Sequence, residues 1–141
     1  MRGECSYVLS TLVWSHTHMA TILLVDDEQE ILELLKLIIE EFGHQALTAH
    51  NGTVGLALAR QHKPNLVLTD LMMPFMDGYA LVAAIQADLV LQTTPVVVMT
   101  AGMITDKDRT ALGPIQAVIA KPFFVEQIQA LCDSIEKGGL V

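Results

Sequence analysis

The chain has 141 residues, 52% of them hydrophobic and 17% charged. That is the length of one ordinary domain, and it is too apolar to stay unfolded in water. With 16 acidic against 8 basic side chains, the net charge is -8; this argues against direct nucleic-acid binding, which needs a basic patch, and suits cations or basic partner surfaces.

Residues 1–20, MRGECSYVLSTLVWSHTHMA, differ in character from the rest. Their apolar part, Tyr7 to Trp14, is broken by Ser10 and Thr11 and is far shorter than the ~20 residues of a membrane span. One arginine precedes it, as in a weak signal peptide, but no small-x-small cleavage site follows. The stretch reads as an appended, poorly ordered tail, with Met19 as an alternative start. His16 and His18 read as solvated tail residues rather than metal ligands. Cys5 and Cys132 match no zinc spacing and no disulfide framework, and read as unpaired thiols in a reducing cytoplasm.

From residue 21 short apolar runs alternate with amphipathic stretches. TILLV (21–25) reads as a strand and ends on the doublet Asp26-Asp27. A helix follows, with Ile31, Leu34, Leu35, Ile38 and Phe42 on one face and Gly43 where a C-terminal cap belongs. ALTA (46–49) is more mixed, as an edge strand would be. A second helix covers about 53–62 and is closed by Pro64. NLVLT (65–69) is a third strand and delivers Asp70. Asp77 is a candidate N-cap for a helix over 78–87. PVVVM (95–99) delivers Thr100, a short helix is expected over 104–112, and AVIA (117–120) delivers Lys121. The last helix places Val125, Ile128, Leu131, Cys132 and Ile135 at helical spacing, and 138–141 reads as a tail. His44, His50 and His62 are expected at the surface or at strand edges. Met99 reads as core, and Met72, Met73 and Met76 as loop packing.

Strands that are nearly continuous in Val, Ile and Leu are covered on both faces. Alternating with helices, they predict a doubly wound α/β fold with a five-stranded parallel sheet. In such sheets ligands sit beyond the carboxyl ends of the strands. Asp26, Asp27, Asp70, Thr100 and Lys121 all fall there. Each alone has a plain explanation: a helix cap, a turn hydroxyl, a solvated charge. Together they describe chemistry. Three neighbouring carboxylates repel unless a cation sits among them, and Mg²⁺ is the hard cation that suits such a set. A lysine and a hydroxyl beside them make sense if a phosphoryl group arrives. One carboxylate then acts as nucleophile, with Asp70, from a central strand, the natural candidate.

The motifs LLVDDE (23–28), LVLTDLMMPFMDG (66–78), VVVMTA (96–101) and KPF (121–123) resemble those of the response-regulator receiver domain of two-component phosphorelays. The resemblance covers about 21–137. It implies the flavodoxin-like strand order 2-1-3-4-5, which periodicity alone does not give. It implies that Asp70 accepts a phosphoryl group from a histidine kinase or phosphotransfer protein. Asp26, Asp27, Asp70 and the Met72 backbone carbonyl would hold Mg²⁺. Lys121 would pair with Asp70, Thr100 would bond the phosphoryl group and move toward it, and the Ala101 N–H would donate to it. The Lys121–Pro122 bond would be cis, as in the family. The downstream partner is a protein that the sequence does not name, and a homodimer through the last helices stays open. The output would be signalling rather than metabolic catalysis. One departure stands out. The family often has Tyr or Phe three residues before the lysine, as a switch; here it is Val118, and Gly113-Pro114 precedes it.

Three other classes fit the residues less well. Haloacid-dehalogenase-type phosphatases need Asp-x-Asp after the first strand, and the chain reads Val-Asp-Asp-Glu there. A nucleotide or flavin module would need a glycine-rich phosphate loop, which is missing. A phosphorylation-independent interaction domain with a vestigial acidic site is favoured only by Val118.

Overall fold

The computed structural model describes residues 19–136. Of the tails expected at 1–20 and 138–141, residues 1–18, with Cys5, His16 and His18, and 138–141 lie outside the described residues, while Ala20 is buried.

The apolar runs become five strands: β1 Thr21–Val25, β2 Gln45–Ala49, β3 Leu66–Asp70, β4 Val96–Thr100 and β5 Ala117–Ala120. Helices alternate with them: α1 Gln29–Glu41, α2 Gly52–His62, α3 Gly78–Ala87, α4 Asp106–Leu112 and α5 Val125–Glu136. All strand pairs are parallel, in the order β2-β1-β3-β4-β5. The predicted doubly wound α/β architecture is therefore present, with β2 on an edge.

Two cores form because successive side chains of a strand point to opposite faces. Leu23, Val25, Val67, Val96 and Val98 pack with α2 and α3 on one face. Ile22, Leu24, Leu66, Leu68, Val97 and Met99 pack with α1 and α5 on the other. At roughly 25 cal/mol per Å² of apolar surface removed from water, these two layers are the main source of stability.

Three expectations need correction. The buried stripe of α1 is Leu32, Leu35, Ile38 and Ile39, while Leu34 is exposed and Leu37 is 64% exposed. Apolar residues stand at 31, 32, 34, 35, 37, 38 and 39, so helical periodicity fits more than one face and only the sheet selects between them. His44 is not at the surface: it is buried and its Nδ1 accepts a hydrogen bond from the Ala20 N–H at 3.0 Å. The chain reverses after α1 through Gly43, at φ 88°, a left-handed cap that glycine adopts without a steric penalty; the reversal brings His44 against the amino end of β1. Val125, expected on the inner face of α5, is exposed, whereas Ile128 and Cys132 are buried as read.

Candidate functional site

Each strand ends where its apolar run gives way to polar residues, so parallel pairing brings those ends to one edge. Asp26 follows β1, Asp70 and Thr100 close β3 and β4, and Lys121 follows β5. A carboxylate oxygen from each of Asp26, Asp27 and Asp70 can be chosen so that all three lie within 4.8 Å of one another. Asp26 is 0% exposed and Asp70 6%, while Asp27 is open to solvent.

Lys121 reaches into this cluster. Its Nζ lies 2.8 Å from Asp26 Oδ2, 3.5 Å from Glu28 Oε1 and 3.6 Å from Asp70 Oδ1. Asp26 also accepts a hydrogen bond from the Glu28 N–H at 2.9 Å, through Oδ1. Asp26 is thus fully engaged, and it is not the N-cap of α1. That position is held by Glu28, without a side-chain bond. Glu28 was read only as a favourable charge at a helix start. Two contacts of Lys121 were not legible in the sequence: its approach to Glu28, although that residue's place beside the doublet was a signal, and its shortest contact, which is with Asp26 rather than with the Asp70 expected as its partner.

The ionisation of the cluster follows from this crowding. Burial is the largest influence on Asp70 and raises its pKa above the usual carboxylate value; the Asp26 charge adds to the rise. Lys121 and the backbone N–H groups of Met72 and Leu71 oppose it without cancelling it. For Lys121, burial is the strongest single influence and acts downward. The hydrogen bond and charge of Asp26, with the charges of Asp70 and Glu28, outweigh it and hold the ammonium above its ordinary pKa. One cation is therefore held among three acids, and of these Asp70 faces it at the longest distance.

The surrounding loops are pinned. The Gly78 N–H donates to the Leu71 carbonyl at 2.9 Å, and a Cβ at Gly78 would collide with the Asp70 carbonyl oxygen and Leu71 Cα. Asp77 caps α3 through the Ala80 N–H at 2.9 Å, as predicted. Thr100 Oγ1 accepts from the Gly102 N–H at 3.2 Å, so its hydroxyl holds the β4–α4 turn. Ala101 beside it is exposed. The Met72 side chain points to solvent and Met73 is buried. The Lys121–Pro122 peptide is cis, as the resemblance implied. Val118 packs against the same cluster as Tyr79 and Ile104. Thr105 and Asp108 form a capping box at α4, and Tyr79 Oη donates to Asp108 Oδ1 at 3.3 Å. Burial first, and Asp108 second, push the Tyr79 hydroxyl to higher pKa.

A parallel sheet whose carboxyl edge gathers three carboxylates and one lysine defines a class of signalling domain. The chain belongs to the response regulator receiver domain family, whose model matches residues 22–133. It is 42% identical over 82 residues to protein PilH of Pseudomonas aeruginosa, covering 58% of this chain and 68% of that one. It is 31% identical over 115 residues to the polar-differentiation response regulator DivK of Brucella anthropi, covering 78% and 94%. The fold matches the receiver domain of sensor histidine kinase PA1611 from Pseudomonas aeruginosa with a TM-score of 0.76 at 21% identity, covering 84% and 98%. Receiver domains bind Mg²⁺ at an acidic site, and the oxygen-only donor set of Asp26, Asp27 and Asp70 suits that hard cation. Among the described residues, no helix is long and apolar enough to cross a membrane.

Proposed function

We propose that residues 21–137 work as a phosphorylation-operated switch in the cytoplasm, with Asp70 as the phosphoacceptor. The observation that carries this reading is the placement of Lys121 Nζ, 3.6 Å from Asp70 Oδ1 while anchored 2.8 Å from buried Asp26. An ammonium held there neutralises an incoming phosphoryl oxygen without having to reorganise.

The donor is the phosphohistidine of a histidine kinase or phosphotransfer protein. An Asp70 carboxylate oxygen forms a bond to phosphorus as the P–N bond breaks, and the electron pair leaves with the imidazole nitrogen. Asp26, Asp27, Asp70 and the Met72 carbonyl are the groups that would hold Mg²⁺. When bound, Mg²⁺ supplies positive charge to the phosphoryl oxygens and relieves the repulsion between the carboxylates. The structure of the PA1611 receiver domain carries a magnesium ion coordinated in its active site cleft, which supports the same assignment here. Lys121 pairs with the phosphoryl oxygens. Thr100 exchanges its bond to the Gly102 N–H for one to the phosphoryl group, and the Ala101 N–H donates beside it. That exchange frees the β4–α4 turn, so phosphorylation changes the surface a downstream protein partner meets.

Val118 favours a second reading, a phosphorylation-independent interaction domain, because it cannot act as an aromatic switch. Intact mass separates the two. The protein is incubated with Mg²⁺ and acetyl phosphate beside Asp70→Asn. A Mg²⁺-dependent gain of one phosphoryl group, absent in the variant, is expected. No gain, with Mg²⁺ binding demonstrated, would make the interaction domain the better reading.

A further inference from the structure

Phe75 carries two costs at once. Its φ is 67°, in the left-handed region where a bulky side chain is strained and glycine is not. Its ring is also 93% exposed, so no burial compensates the strain. The loop does not need it. Gly78 N–H to Leu71 O, Gly52 N–H to Met76 O and the Asp77 cap hold the loop through its neighbours. Lys63 is the other non-glycine at positive φ among the described residues, but it ends a helix and keeps a charged side chain in water. A strained, exposed aromatic ring is the kind of outlier from which function is inferred.

Its surroundings share this character. Met72 is exposed in the same loop, Met103 is 94% exposed in the β4–α4 loop, and Phe124 is exposed in the β5–α5 loop. Singly, such residues need no explanation. Here three loops at one edge of the sheet each carry one, and Asp70 lies at that edge. The loops that leave this edge make a rim to the acidic cluster, and three of them carry exposed apolar side chains.

We propose that Phe75 is the anchor by which this chain docks the protein that delivers its phosphoryl group. The proposal rests on Asp70 being the phosphoacceptor. Asp70 is only 6% exposed, so a phosphohistidine must be pressed in between the loops, and the donor's surface then covers the rim. Aromatic anchors of this kind dominate interface energetics. Asp27 and Glu28 lie exposed next to buried Asp26, so the matching surface carries basic as well as apolar side chains around its phosphohistidine. A small phosphodonor reaches Asp70 without touching Phe75.

The test compares the full chain with Phe75→Gly and Phe75→Tyr. Loading is measured with acetyl phosphate and Mg²⁺, and with a panel of purified histidine kinases autophosphorylated with radiolabelled ATP. The glycine variant is expected to melt no lower than the unmodified chain, because strain is relieved. It should load from acetyl phosphate at the same rate, while kcat/KM for transfer from the fastest protein donor falls at least tenfold. Tyrosine should restore most of that loss. Unchanged transfer from the protein donor would overturn the proposal, as would an equal loss with both kinds of donor. Loading by acetyl phosphate but by no kinase of the panel would overturn the choice of partner. No loading of the unmodified chain by any donor would instead defeat the reading of Asp70.

Discussion

The two edges of the sheet are built from the same strands and differ in how their polar groups are satisfied. At the amino edge backbone groups pair with one another and with the side chains of His44 and Asn65. The Ala20 N–H meets His44 Nδ1 at 3.0 Å, the Thr21 N–H meets Asn65 Oδ1 at 2.9 Å, and the Asn65 N–H returns to the Thr21 carbonyl at 2.8 Å. At the carboxyl edge three carboxylates crowd one lysine, and the burial of Asp26 and Asp70 removes the water that would relieve them. A sheet end selected for stability alone resembles the first edge. The second holds an electrostatic imbalance that a cation and a phosphoryl group would resolve.

The largest test of this contrast is Lys121→Ala. It strips Asp26 of its only described cation, and breaking such a buried pair should destabilise the metal-free protein by about 3 kcal/mol in urea unfolding. Mg²⁺ should recover much of the loss, and the variant should bind Mg²⁺ more tightly because no ammonium competes. A small loss would mean that Lys121 is not what stabilises Asp26. Gly78→Ala comes next. Its Cβ would meet backbone rather than a side chain that can move, and about 2 kcal/mol of stability should disappear, with Asp70 phosphorylation slowed as β3 shifts.

At the amino edge, Asn65→Ala removes the acceptor of the Thr21 N–H and should cost about 1 kcal/mol. That loss should be the same with and without Mg²⁺. A Mg²⁺-dependent loss would show that the two edges are coupled. The smallest expected change has the opposite sign. The Asp70 pKa is raised above 3.8, so folding loses stability as pH rises from that value through the raised one, and the loss persists at neutral pH. Asp70→Asn should therefore melt a few degrees higher than the unmodified protein at pH 7 without Mg²⁺. The gap should close as pH falls and Asp70 takes up its proton. A gap independent of pH would point to packing instead of charge.

Much of the molecule was legible before any coordinates. Short continuous Val, Ile and Leu runs bounded by turn residues read as strands covered on both faces, and Asp77 and Gly43 mark helix ends through their own local chemistry. The apolar runs also predicted that Asp26, Asp70, Thr100 and Lys121 would leave their strands at one edge, because parallel strands share a direction. Other features were out of reach. The face of α1 was ambiguous because its apolar residues spread over an arc wider than the stripe the sheet covers, with Leu34 and Leu37 outside it. His44 reads as a surface or strand-edge residue, and only the turn at Gly43 buries it against the start of β1.

Sequence by itself determined the alternation of strand and helix and the chemical types delivered to the carboxyl edge, since both depend on local pattern. Tertiary structure alone decided which acid holds the lysine, how far burial raises Asp70, and that Phe75 stands strained in solvent. Those depend on distances between residues far apart in the chain, and on the water that packing excludes.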